Sequence, residues 1–252
     1  MSPRIAYVDI ETAPILATIW KLYEANSVWV ERDTFLLSFA VLWNDGKKVK
    51  THALPDYARY KENKYSDIDL VRDLWSILNE ADIVVAHNGD SFDIKKINAR
   101  LAVHGFSPPA PFKTIDTLKI ARKHFKFDSN KLDNLGRYLG CGRKIPNTGA
   151  DLWRRCVDGD PKAWALMRRY NAQDVLLLER VYQKLKPWAT SHPDLRLYGE
   201  RLSIITCPTC NYWKLQRRGI AVARSHQYQR FQCQSCGAWF AGQNIKKAAR
   251  SA

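Results

Sequence analysis

The chain has no uncharged apolar run approaching the ~20 residues that a membrane span requires. Its start, Met1-Ser2-Pro3-Arg4, has no signal-peptide features and leads directly into a strand-like run, so a cytoplasmic protein is expected. No internal repeat is visible, which argues against a solenoid or array. Acidic residues are scarce toward the C-terminus. Residues 195–252 hold ten Lys/Arg and one acid, Glu200, so +9 of the formal +15 lies in the last quarter of the chain. So concentrated a positive charge suggests a polyanionic partner, most often nucleic acid; an unstructured basic tail is the plainer alternative.

The 252 residues suffice for one sizeable core and a small appendage. Nine Trp, eleven Tyr and nine Phe argue against disorder. Arg4 to Glu11 reads as a strand whose alternation puts Asp9 and Glu11 on one face. Asp33 to Trp43 forms a second strand. The turn Asn44-Asp45-Gly46 returns it as a third, over Lys47 to Leu54. Asp67 to Leu78 has helical spacing, and the apolar Asp82 to Ala86 suits a strand covered on both faces. A turn at His87 to Ser91 then opens a helix from about Phe92 to His104. Lys113 to Asp116 reads as a fifth strand, Thr117 to His124 and Lys131 to Leu139 as helices. A long helix is expected from Pro161 to about Lys186, where Pro187 stops it. The order predicts an α/β fold with a mixed five-stranded sheet flanked by helices.

Four carboxylates fall in segments that should be buried: Asp9, Glu11, Asp93 and Asp174. Asp93 sits in the first turn of its helix, where an acid also complements the helix dipole. Tyr170 and Asp174 are four residues apart on one helix face, within a largely apolar stripe. A buried carboxylate is costly without a partner. Four acidic donors and one phenol suit a pair of hard divalent cations and therefore phosphodiester hydrolysis. Asp116 reads either as a further site residue or as the cap of the next helix, and His87 as satisfying its turn.

These segments resemble the DEDD superfamily of 3′→5′ exonucleases, whose fold is DnaQ-like and ribonuclease H-like. Asp9-Ile10-Glu11-Thr12 resembles the first motif. Asn88-Gly89-Asp90-Ser91-Phe92-Asp93 resembles the second, in the form found in family B polymerase proofreading domains. Tyr170-Asn171-Ala172-Gln173-Asp174 resembles the third in its tyrosine (DEDDy) form; the histidine branch would need His where Arg169 stands. Lys131 to Leu135, ending in Leu139-Gly140, is similar to the helix that precedes the third motif. The resemblance spans about Ile5 to Trp188. It implies two Mg²⁺ or Mn²⁺, with Asp9 bridging them, Glu11 and Asp174 completing one shell, and Asp93 holding the other ion. Tyr170 would orient the attacking water, and Thr12 and Asn88 would hold the terminal nucleotide. DNA is expected over RNA, with an exoribonuclease or a non-catalytic scaffold with a vestigial nuclease fold as alternatives. The insertion Ala13 to Arg32 is read as a small helix packed over the core, with stacking of unpaired bases as the alternative.

Cys207-Pro208-Thr209-Cys210 and Cys233-Gln234-Ser235-Cys236 have the spacing of a four-thiolate zinc site, and residues 204–243 resemble a zinc ribbon. Asn211 and Gly237, after each pair, tolerate the left-handed backbone such turns need. Tyr228 to Phe231 reads as a strand and Arg217-Arg218-Gly219 as a turn. The expected organisation is an exonuclease domain over 1–190, a linker over 191–203, the ribbon over 204–243 and a basic tail over 244–252. Arg217, Arg218 and Arg230 are candidates for phosphate contact. Docking to a replication or repair protein is the competing role for the ribbon. Cys141 and Cys156 are left over and read as inert packing residues.

Overall fold

Val, Ile and Leu crowd the first forty residues, and the strands they form set the frame for everything else. The computed structural model describes residues 2–21, 28–199, 205–223 and 225–247. Residues 200–203 of the expected linker, 204 and 224 of the expected ribbon and 248–252 of the basic tail lie outside these. The chain divides into two compact units, Arg4–Lys119 with Asp128–Val181, and Met1–Pro3 with Ile120–Phe127 and Tyr182–Ala252.

In the first unit, β1 (Ile5–Thr12) pairs antiparallel with β4 (Leu36–Trp43) and parallel with β6 (Ile83–Ala86). Adding β5 (Lys50–Ala53) and β7 (Lys113–Asp116) gives a mixed five-stranded sheet in the order β5-β4-β1-β6-β7. All four residues of β6 are buried, as its unbroken apolar sequence predicts for a strand covered on both faces. Helices α1 (Ile68–Glu80) and α2 (Asp93–Val103) follow β5 and β6, and α3 (Thr117–His124) follows β7. Next come α4 (Leu132–Tyr138), α5 (Ala150–Asp158) and the long α6 (Pro161–Leu185). Phe39, Leu70, Leu74, Leu78, Ile97 and Leu152 are among the fully buried side chains of this core. At Gly136 of α4 an added Cβ would come within 2.7 Å of Leu177, so the missing side chain lets α4 lie close against α6.

One buried charge ties three elements together. Asp67, fully buried before α1, accepts hydrogen bonds from Arg100 (2.7 and 2.8 Å), from the Leu36 backbone N–H (2.8 Å) and lies 2.6 Å from His104. Although burial opposes charge, these bonds hold its carboxyl below the usual range. The beginning of β4 is thereby fastened to α1 and α2.

Among the described residues of the insertion after the first motif (13–21 and 28–32) there is no small helix packed over the core; Tyr23 lies outside them. The insertion continues the β1/β4 pair outward: Ala13 N–H donates to Phe35 O (2.8 Å), and β2 (Leu16–Thr18) then pairs with β3 (Trp29–Arg32). Trp20 and Trp29 are 79% and 70% exposed, because a two-stranded hairpin has no second layer to cover them.

In the second unit, β8 (Leu215–Ala223), β9 (His226–Cys233) and β10 (Trp239–Lys247) form a three-stranded antiparallel sheet in the order β10-β9-β8. Arg217-Arg218-Gly219 is not the turn between strands. It is a bulge inside β8, where the register shifts between Arg217 and Ile220 and Gly219 takes φ +70°. The reversal lies further on, between Ala223 and His226. Asn211 (φ +55°) and Gly237 (φ +80°) adopt the left-handed backbone predicted after each Cys pair. Within the segment read as a linker, Leu195 is buried and its N–H donates to Pro208 O (2.8 Å).

Candidate active site

Asp9 and Glu11 project from β1, and Asp174 from the middle of α6. One carboxylate oxygen from each lies within 4.8 Å of the others. The alternation of β1 and the buried stripe of α6 produce this convergence. Asp93, in the first turn of α2, stands beside that group rather than within it. Its Oδ1 accepts from the Ile10 N–H (3.3 Å), the backbone group between the two acids of β1.

Several side chains fix these acids, and most carried no signal in the sequence. Asn171 Nδ2 donates to Asp9 Oδ2 (2.7 Å) and to the Asp9 carbonyl (3.2 Å), and Ser38 Oγ donates to Asn171 Oδ1 (3.2 Å). Trp153 Nε1 of α5 donates to Glu11 Oε2 (2.9 Å), and its ring meets that of Tyr170 edge-on at 5.9 Å. Lys144, in the loop before α5, places Nζ 2.6 Å from Asp174 Oδ2 and 3.0 Å from the Tyr170 hydroxyl.

One ammonium among four carboxylates leaves the group strongly anionic. Burial, then the neighbouring acids, raises the Asp9 pKa well above the carboxylate range, with Lys144 opposing. Burial also lifts Glu11 to about 7 against the Trp153 hydrogen bond, and lifts Asp93 to about 7 against the bond from Ile10. Asp174 is raised by burial despite Lys144. Burial works against the charge on Lys144, but Asp174 and Tyr170 outweigh it and raise its pKa. Tyr170 is likewise raised, first by burial and then by Asp174, so its phenol keeps its proton.

Asp174 Oδ1 is buried and has no hydrogen-bond partner. A buried carboxylate oxygen left unpaired, on a residue whose carboxylate meets two other acids, is costly on its own. A hard divalent cation accounts for it, and the oxygen donor set suits Mg²⁺ or Mn²⁺.

The remaining candidates fall into two groups. Asp116 is a structural anchor: its carboxylate accepts from the backbone N–H groups of Asn88 (2.9 Å), Asp90 (3.4 Å) and Leu118 (2.9 Å). His87 Nδ1 lies 2.9 Å from Thr117 Oγ1, in keeping with a role in its turn. Asn88 takes φ +66° there, and Thr12 lies at the register shift that ends the regular β1/β4 ladder. Arg217 and Arg218 are exposed on β8. Arg230 is exposed on β9, where its Nε donates to Arg218 O (3.0 Å).

The four cysteines also converge. Cys207 and Cys236 sulfurs are 3.7 Å apart, Cys210 and Cys233 sulfurs 3.6 Å, and all four fall within 4.8 Å of one another. Four thiolates at ~2.3 Å from a tetrahedral zinc are ~3.8 Å apart. The cluster thus fits a small zinc ribbon. Cys141 and Cys156 are buried elsewhere, and burial pushes the Cys156 thiol up to about 12.

Residues 6–186 match the RNase_H superfamily. The chain belongs to that superfamily. Among solved structures it is similar to a family B DNA polymerase from the hyperthermophilic archaeon Pyrobaculum calidifontis, at 18% identity and a TM-score of 0.56. The likeness covers 73% of this chain and 25% of the polymerase, and at that identity it speaks to fold alone. No curated protein sequence matches the chain. Membership of the RNase_H superfamily supports a nuclease. Among the described residues no helix is long and apolar enough to cross a membrane.

Proposed function

We propose that this RNase_H-superfamily chain is a two-metal-dependent 3′→5′ exonuclease of the DEDDy type that acts on DNA, preferring single-stranded or frayed ends. The observation that carries this reading is the convergence of Asp9, Glu11 and Asp174 around an unpaired buried oxygen, with the Tyr170 hydroxyl alongside. Divalent ions held there would supply Lewis-acid polarisation of the phosphate and a water acidic enough to ionise near neutral pH. Asp9, Glu11 and Asp174 would hold one ion, and Asp9 with Asp93 the second.

The chain's own groups then have distinct duties. Asn171 and Trp153 lock the Asp9 and Glu11 carboxylates in place before any ligand arrives. Tyr170, protonated at physiological pH, can donate to or accept from a water beside the phosphate and so orient it. Lys144, in contact with Asp174 and Tyr170, would meet charge developing on the phosphate, and it would release Asp174 to a metal ion while keeping its contact with Tyr170. Thr12, at the end of β1, and Asn88, in the turn after β6, would hold the terminal nucleotide. The resemblance of the segment Asn88 to Asp93 to the second motif of family B polymerase proofreading domains supports DNA as the substrate. The zinc ribbon would add nucleic-acid affinity through Arg217, Arg218 and Arg230.

The test is a matched set of DNA and RNA oligonucleotides, single- and double-stranded, labelled at either end. With Mg²⁺ or Mn²⁺, 5′-labelled single-stranded DNA should shorten in single-nucleotide steps. Steps that begin at the 5′ end, or activity that survives EDTA, refute the reading. Faster cleavage of RNA refutes only the choice of sugar.

Lys144 gives a sharper check. Lys144→Met should lower the cleavage rate by about a hundredfold, the size expected for one lost donor at developing charge. It should also lower the Mn²⁺ concentration needed for half-maximal rate, because the ammonium no longer competes for Asp174. A raised metal requirement would show that Lys144 supports the ion rather than competing with it.

A further inference from the structure

The zinc-cluster sheet has two unlike faces. Strand alternation and register put Leu215, Phe231, Cys233 and Phe240 on one of them. That face packs on the cysteines, with Phe231 and Cys233 buried. The other face carries Gln216, Gln232, Arg230 and Trp239, with Gln216, Gln232 and Trp239 in one row across the three strands. Lys214 directly precedes β8, and its carbonyl accepts from the Gln234 N–H (3.1 Å).

The open face combines an unburied indole with cations. Trp239 is 52% exposed, and the Arg230 guanidinium lies 5.6 Å from its ring centroid. Lys214 Nζ lies 5.1 Å from the ring of Trp213, a second indole, which is 60% exposed. Residues 205–247 contain seven Lys/Arg and no Asp or Glu, so no acid within the sheet neutralises these groups. An indole so exposed contributes little to a core, but it offers a flat surface to an unstacked base. Flanking cations with no acid among them complement phosphate, and the two glutamines present both donors and acceptors to base edges.

We infer that this face is a stacking platform for single-stranded nucleic acid, with a base on Trp239 and neighbouring phosphates on Lys214 and Arg230. In a duplex both faces of each base are already covered, so the platform selects unpaired strands. The inference rests on nucleic acid being this protein's substrate, as proposed above, and it adds which residues of the zinc-cluster sheet grip the strand.

The test is fluorescence anisotropy of a 5′-labelled oligo(dT) with 3′-terminal phosphorothioates, titrated with full-length zinc-loaded protein. Trp239→Ala should weaken binding about tenfold, while Trp239→Phe stays within about threefold of the parent. The double variant Lys214→Ala/Arg230→Ala leaves the indole in place. It should reduce the slope of log affinity against log salt by about 1.4, for two lost single-strand phosphate contacts. Parental affinity in Trp239→Ala together with a parental salt slope in the double variant overturns the platform and makes the face a protein-docking surface. Equal losses in Trp239→Ala and Trp239→Phe overturn the stacking role. Cleavage of a tetranucleotide, assayed beside binding, keeps the two proposals apart. A parent that cuts it while the platform variants bind normally loses only the platform. A parent that never cuts while Trp239→Ala loses affinity loses only the exonuclease.

Discussion

Asp9→Asn should reduce cleavage by at least about a thousandfold, the several kcal/mol that metal assistance supplies, while leaving oligonucleotide binding largely intact. The same substitution should make the metal-free protein more stable. Asp9 is crowded by burial, Glu11, Asp93 and Asp174, and all four acids have raised pKa values. A folded-state pKa above the unfolded value means that the native protein binds more protons than the unfolded chain between the two values. Stability therefore falls as pH rises. For Glu11 and Asp93 that window runs from their ordinary values of 4.5 and 3.8 to about 7. Metal-free protein should thus lose stability from about pH 4 to 7; acids whose pKa is lowered, such as Asp67 beside Arg100, act below that window. Asn at position 9 removes one charge from the cluster and flattens the decline. Thermal unfolding in EDTA-treated, zinc-retaining protein across that range checks this. A variant less stable than the parent at pH 7.5 would mean that Asp9 is a structural partner of Asn171 rather than a metal ligand.

Cys207→Ser should cost the zinc and, with it, the order of the C-terminal sheet. The buried apolar residues around that sheet are few: Cys207, Cys233 and Ala238 form the cluster, two of them proposed ligands themselves. So small a core does not offset the ordering of about forty residues, and in units of this kind metal binding supplies ~10–16 kcal/mol of folding free energy. Zinc content should fall from one per chain to none. Amide exchange in 205–247 should lose its protection while β1, β4 and β6 keep theirs. Affinity for long oligonucleotides should drop about tenfold or more, while cleavage of a tetranucleotide continues. Retained protection in β8–β10 without zinc would contradict the structural role of the metal.

The parts of the fold that were legible in the sequence share a physical property: their periodicity is set by burial. β6 declares itself by an unbroken apolar run, Asp9 and Glu11 by strand alternation, and Tyr170 with Asp174 by helical spacing along a buried stripe. The parts that were missed lack such a constraint. β2 has three residues and no buried face, so the hairpin Leu16 to Arg32 gave no alternation to read. Lys144 sits in a loop rich in Pro and Gly, where no period orients a side chain. Helix α5, which carries Trp153, did leave a signal: Leu152 and Cys156 are four apart, bracketed by Gly149 and Gly159. Arg217-Arg218-Gly219 reads as a turn, but a bulge can use the same positive-φ glycine, and only strand pairing separates the two.

The most direct measurement is Mn²⁺ binding by electron paramagnetic resonance, with the full-length protein and an oligonucleotide ending in a phosphorothioate. The account predicts two Mn²⁺ per chain beyond the zinc, both weakened by Asp9→Asn and one by Asp174→Asn. No bound Mn²⁺, or binding untouched by either substitution, would contradict it.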